Sequence, residues 1–307
     1  MTVSHPLAGI YAAAVTPLKQ DFSIDPAAIV PFLNFLAARE CHGALLFGTT
    51  GEGPSFSAKE RETVLRIAQE VRHIYPEFRL LAGTGTPSLD ETVELTRTAF
   101  DLGCEAVVVL PPYYFRKVSD DGLFEWYNMV IRRAVPRDGY LLGYHIPGVT
   151  GVPLSLDLLA RLKDTFPKRF AGIKDSSGDS QHAIALGARF GDDLLVLNGN
   201  DGLFLQALEY NAGGAITAMA NLYSPLLRQV WNIFIQDGDA IDVQAQLNLY
   251  RRVLDRYQPF PPILKAMLAR LFAFERWPVR PPLMPVISQI EETCFQELHG
   301  CDQPENS

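Results

Sequence analysis

Four short segments hold the residues with chemistry to offer. GIKDSSGD (172–179) carries Lys174 at the end of the apolar run FAGI. A lysine emerging from such a run is stripped of water, which disfavours the ammonium form and leaves the amine free to attack a ketone. The resulting Schiff base is an electron sink for a carbanion on the neighbouring carbon. An ordinary lysine, its stem along apolar surface and its head in water, has the same local sequence. YHIPGVTG (144–151) offers the phenol of Tyr144, and PPYYFRK (111–117) offers those of Tyr113 and Tyr114. A positioned tyrosine can shuttle protons; the Tyr113–Tyr114 pair equally suits a subunit contact. GTTGEGPS (48–55) sets Thr49 and Thr50 between glycines, where successive backbone N–H groups and two hydroxyls can cradle a small carboxylate. A plain strand-to-helix turn reads the same way.

Other chemistries lack support. His5, His42, His73, His145, His182 and Cys41 form no metal-ligand spacing, so no metal is expected. No Gly-x-Ser-x-Gly elbow occurs, and GTTGE lacks the Lys-Ser/Thr element of a phosphate loop. His145 follows Tyr144 directly, so on a strand it points the opposite way and is expected to be structural.

These segments need a scaffold that brings them to one rim. Short apolar runs occupy 10–15, 44–47, 79–82, 106–110, 140–144, 170–173, 194–197 and 214–217. Runs apolar throughout suit parallel strands covered on both faces. Helical periods lie between them, at 25–39, 58–72, 89–102, 122–134, 155–165, 180–190, 202–210 and 222–236. Asp25 with Pro26, Ser57 with Glu60, and Ser88 supply N-terminal caps. Eight strand-then-helix units imply right-handed crossovers and a closed (β/α)8 TIM barrel. An open dinucleotide-binding sheet is disfavoured, because AAAVTPLKQD carries no Gly-rich fingerprint. In such a barrel the active site lies at the strands' C-terminal ends, where all four segments fall. The barrel is expected over 1–237. Residues 238–307 read as a helical extension, with helices at 239–257, 263–274 and 284–298 punctuated by PFPP and RPPLMP, and 301–307 as a frayed tail.

Composition agrees. The chain has 307 residues, about half apolar, enough for one large core. A formal net charge of −8 without a basic run gives nucleic-acid binding no electrostatic support. Four cysteines without a CxxC spacing suggest reduced thiols. With no basic, apolar leader in MTVSHPLAGI and no run long enough to span a membrane, a soluble cytoplasmic protein is expected.

Taken together, GTTGE (48–52), LAGTG (81–85), VLPPYY (109–114), YHIPGVTG, GIKDSSGD and GAITAMAN (214–221) resemble, in order and spacing, the dihydrodipicolinate synthase / N-acetylneuraminate lyase family. The resemblance spans the whole barrel and includes the C-terminal helices. It implies pyruvate-type Schiff-base chemistry with no metal or organic cofactor. Lys174 resembles the Schiff-base lysine, Tyr144 the proton-relaying tyrosine, Thr49 and Thr50 the carboxylate-holding pair, and Tyr114 the tyrosine contributed across a dimer interface. Catalytic roles are thus expected for Lys174, Tyr144, Thr50 and Tyr114. Thr49, Thr50, Gly51, Val149, Ser176, Asn200 and Ile216 are the expected substrate contacts, with Asp175, Ser177 and Asp201 further candidates for substrate hydroxyls. Homotetramers, as dimers of dimers, are common in the family.

One position departs from the pattern. Dihydrodipicolinate synthases read YNVPSRTG at strand five, where the arginine binds the aldehyde's carboxylate; here that position is Val149. An apolar side chain cannot supply a bidentate clamp. The departure favours an aldolase cleaving a 2-keto-3-deoxy sugar acid (gluconate or galactonate type) to pyruvate and an aldehyde. The alternatives are a dihydrodipicolinate synthase, a keto-acid dehydratase on the same lysine, and a non-catalytic binding relative.

Overall fold

The computed structural model describes residues 5–301. Of the expected tail, all but Cys301 lies outside the described residues. Eight strands close on themselves in chain order: β1 (Gly9–Ala13), β2 (Gly43–Leu46), β3 (Arg79–Gly83), β4 (Ala106–Val109), β5 (Tyr140–His145), β6 (Phe170–Asp175), β7 (Leu195–Asn198) and β8 (Gly214–Thr217), with β8 returning to β1. Every pairing is parallel. The strands are buried on both faces, as their apolar runs require. One set of side chains fills the lumen, including Leu45, Leu81, Val108, Leu142, Leu197 and Ile216. The alternate set packs outward under the helices.

The expected caps hold. Asp25 accepts from Ala27 N at the start of α1 (Pro26–Ala38), and Ser57 and Glu60 form a complete capping box on α2 (Ala58–Ala68). Ser88 caps α3 (Leu89–Asp101), and Ser119 caps α4 (Asp120–Ala134). A one-turn helix, α5 (Pro147–Thr150), follows β5 and was not foreseen, being too short to show a period. After it come α6 (Leu156–Thr165), α7 (Ser180–Phe190), α8 (Phe204–Glu209) and α9 (Ala220–Ile235), the last kinked at Tyr223 ahead of Pro225.

Three helices follow the barrel: α10 (Ile241–Asp255), α11 (Phe260–Phe272) and α12 (Ser288–Gly300). The PFPP segment does not stop a helix but opens one. Pro261 and Pro262 lie in the first turn of α11, where a missing N–H leaves no bond unmade. α10 packs on α9 and α12, and α11 on α9 and α12. No helix among the described residues is long and apolar enough to cross a membrane.

Candidate active site

Register decides which side chains meet. β5 and β6 pair Tyr144 with Lys174 and, one step on, His145 with Asp175. Tyr144 faces the lumen, beside Lys174. The Lys174 Nζ lies 4.2 Å from the centre of the Tyr144 ring. Both are almost completely buried, at 3 % and 4 % exposed. The Tyr144 hydroxyl lies 3.4 Å from Thr49 Oγ1. Burial works against ionisation of that phenol. The Lys174 charge and hydrogen bonds from Thr49, Lys174 and Ser176 outweigh it, holding the Tyr144 phenol below its usual range. An amine and a proton-accepting phenol thus share one desolvated spot, which suits addition to a carbonyl with proton transfer alongside.

The turn after β2 supplies the hydroxyl pair. Thr50 is buried and Thr49 exposed. Two non-glycine residues in left-handed conformation, Phe47 (φ 59°) and Glu52 (φ 57°), bracket it. That conformation carries a cost for side-chain-bearing residues and persists only where the surroundings hold it. Here they do. Gly51 O accepts the Thr16 hydroxyl at 2.7 Å, and a Cβ on Gly51 would sit 2.7 Å from Ala14 O. Arg61 donates to the carbonyls of Gly53 (2.6 Å), Phe56 (3.3 Å) and Gly83 (3.3 Å). Glu52 pairs with Lys265 of α11 at 2.6 Å and accepts Arg280 N–H at 2.9 Å. Thr49, Arg61, Val108 and Tyr144 border a cavity of about 20 Å³, room for roughly one water.

The other expected residues are placed unevenly. Ile216 is fully buried in the lumen. Ser176 is half-buried, with its hydroxyl against Gly199, where a Cβ would lie 1.9 Å from Ser176 Oγ. Asn200 spends its Oδ1 on Gly202 N at 3.1 Å. Tyr114 is 77 % exposed, its ring edge-on to Phe115. Val149 is 60 % exposed on α5, and the space beside Gly148 is open. The Arg116 side chain lies against Gly151, with Cδ 2.8 Å from where a Cβ would stand. Asp175 and Asp201 are corrections. Asp175 alternates with Lys174 and so turns outward, where it accepts Ser177 N–H at 3.0 Å. Asp201 is fully buried and bound to Arg251 of α10 at 2.9 Å, with burial raising its carboxyl above the usual range despite that charge.

The sequence spacing of histidines conceals one cluster. His145, Asp175 and His182 place ligand atoms within 4.8 Å of one another outside the barrel, and the two imidazoles stack at 4.4 Å. His145 Nδ1 accepts the Leu154 N–H at 3.0 Å, so the ring proton is on Nε2. A metal-bound imidazole donates from its other nitrogen rather than accepting there. The donor set therefore does not suit a cation. The Glu52–Lys265 pair also escaped sequence reasoning. Its signal was a lysine inside the otherwise apolar first turns of α11, FPPILKAML.

Comparison with known proteins agrees with this geometry. The profile of the Dihydrodipicolinate synthetase family matches residues 6–299. An uncharacterised DapA-like lyase of Chloroflexus aurantiacus is 36 % identical over 282 residues, covering 92 % of each chain. A 4-hydroxy-tetrahydrodipicolinate synthase of Syntrophobacter fumaroxidans is 30 % identical, covering 91 % of this chain and 93 % of its own. The crystal structure of the chloride-inhibited dihydrodipicolinate synthase of Acinetobacter baumannii, complexed with pyruvate, superposes with a TM-score of 0.87 at 26 % identity, over 96 % of this chain and 99 % of that one. Barrel and rim thus define a carbon–carbon lyase. The chain belongs to the dihydrodipicolinate synthase / N-acetylneuraminate lyase family.

Proposed function

We propose that the protein is a class I aldolase, cleaving a 2-keto-3-deoxy sugar acid of gluconate or galactonate type to pyruvate and an aldehyde. The observation that carries this reading is the buried Lys174–Tyr144 pair at 4.2 Å beside Thr49. The Lys174 amine adds to the C2 ketone, water leaves, and an iminium forms. Tyr144 takes the proton of the C4 hydroxyl as the C3–C4 bond breaks. The aldehyde departs, and the electron pair remains as an enamine on Lys174. Protonation at C3 and hydrolysis then return pyruvate and the free amine. Thr49, Thr50 and Gly51 hold the C1 carboxylate, Ile216 packs against the pyruvyl part, and Ser176 and Asn200 meet the hydroxylated tail. Tyr114 completes the relay from a neighbouring subunit of a homotetramer in the cytoplasm.

The choice of branch rests on Val149. An aldehyde bearing a second carboxylate gains from a charged partner at this position, where a charge-assisted hydrogen bond is worth about 1.5–3 kcal/mol. A dihydrodipicolinate synthase is the second reading. The observation favouring it is Arg116, whose stem lies on Gly151 just past Val149. The test compares kcat/KM for cleavage of 2-keto-3-deoxygluconate-type acids with that for condensing pyruvate and aspartate semialdehyde. Cleavage should be the faster, and Val149→Arg should raise the condensation roughly tenfold. Faster condensation in the unaltered protein overturns the aldolase reading.

A further inference from the structure

The turn of Thr49, Thr50 and Gly51 is not held by the barrel alone. Its next residue, Glu52, sits in the left-handed region (φ 57°), where glycine is the natural choice. The side chain explains why a glutamate stands there. Its Oε1 receives Lys265 Nζ at 2.6 Å and its Oε2 receives the backbone N–H of Arg280 at 2.9 Å. Lys265 gives a second hydrogen bond, to Pro278 O at 2.7 Å. Both charged side chains are 0 % exposed. Burial pulls the Lys265 ammonium down, opposed by the Glu52 charge.

A fully desolvated ion pair repays its desolvation only with good geometry and further hydrogen bonds, and hydrophobic replacement is often as stable. Stability alone is thus a poor reason to keep it, and fixing one conformation is a better one. The pair joins residues 213 positions apart, tying α11 to the turn after β2. A second ion pair, Arg251 to the fully buried Asp201, joins α10 to the turn after β7.

We propose that Lys265 is a positioning residue: through Glu52 it holds the Thr49–Thr50–Gly51 turn in the geometry that binds the substrate's carboxylate, making the C-terminal extension part of the binding site. The proposal rests on the Schiff-base reading given above. If the turn is pre-set by this pair, loosening it weakens binding of the keto acid while leaving the Lys174 amine in place.

The test measures the pyruvate concentration that half-saturates borohydride trapping, alongside the limiting trapping rate and the melting temperature. Glu52→Gln keeps side-chain volume and an acceptor for Lys265 but loses the charge; it should fold and raise half-saturation severalfold with the limiting rate little changed. Lys265→Met leaves Glu52 unpaired and should melt earlier and raise half-saturation about tenfold or more. The double variant Glu52→Leu/Lys265→Met removes both charges, though it also frees Arg280 N–H and Pro278 O, and should melt above Lys265→Met without regaining affinity. A purely structural pair shifts melting only. Wild-type half-saturation in Glu52→Gln or in the double variant overturns the proposal. Absence of any adduct on Lys174 in the wild type instead overturns the Schiff-base reading.

Discussion

Two neighbouring residue pairs on the same two strands meet opposite fates. Tyr144 and Lys174 face each other across β5 and β6 and point into the barrel; His145 and Asp175, one step on, face each other and point out. Each pair holds one basic and one acidic group, and all four residues are under 5 % exposed. Inside, the phenol lies against an amine and is shifted towards ionisation. Outside, burial drives the His145 imidazole down to about 4, with the His182 charge adding to the effect and Asp175 opposing it. His145 is therefore a neutral acceptor for Leu154 N–H. Burial and a nearby titratable group do not by themselves make a reactive site. Of the inner pair, Tyr144 borders the cavity shared with Thr49 and Arg61; of the outer pair, His145 braces the loop before α6 through Leu154 N–H, while Asp175 holds Ser177 N–H.

The comparison can be broken most sharply at Lys174. Lys174→Ala should abolish the mass increment left by pyruvate and borohydride, and turnover with it. An adduct persisting in that variant moves the nucleophile elsewhere. Tyr144→Phe should retain the fold and lower turnover by about 10²–10⁴-fold, the usual worth of a positioned acid–base group. Turnover near wild type removes the phenol from the proton path.

Tyr114, 77 % exposed, can join the proposed relay only if a second chain brings it there. Tyr114→Phe should lose about tenfold or more in turnover, at the lower end of the same range or below it. Unfolding and refolding it together with Lys174→Ala should restore part of the activity, because a mixed pair of subunits contains one complete site. Mixtures no more active than their parts place Tyr114 outside the chemistry.

The outer pair should give the smallest effect. His145→Asn keeps an acceptor for Leu154 N–H, so turnover should stay within about twofold, like other substitutions away from the reacting groups. Its signature is in stability. A histidine near 4 when folded and 6.5 when unfolded binds its proton more tightly in the unfolded state. Its contribution is complete above pH 6.5 and is lost as pH falls towards 4. His5 and His42 are driven down to about 4 in the same direction by burial. Acid should thus destabilise the wild type over that range, and His145→Asn should take up about one proton fewer on unfolding at pH 5. An unchanged slope in the denaturation midpoint against pH contradicts the assignment.

Much was legible in the chain itself. The eight apolar runs, the caps at Asp25, Ser57 and Ser88, and the outward turn of His145 follow from rules acting over a few residues: both-face burial, side-chain–backbone bonding and two-residue alternation. The same rules put Lys174 and Tyr144 at strand ends on one rim. Other features required the closed barrel. Asp175 and Asp201 looked as available to a substrate as Ser176, but strand alternation turned the first outward and Arg251 claimed the second. Lys265 and Lys174 are both lysines within apolar surroundings. Only the return of α11 to the β2 turn gives one a carboxylate, and only the β5–β6 register gives the other a phenol. Propensity and period are properties of neighbours in sequence. Ion pairs and cross-strand partners depend on how β8 closes on β1 and where the last helices dock, and no local window contains that information.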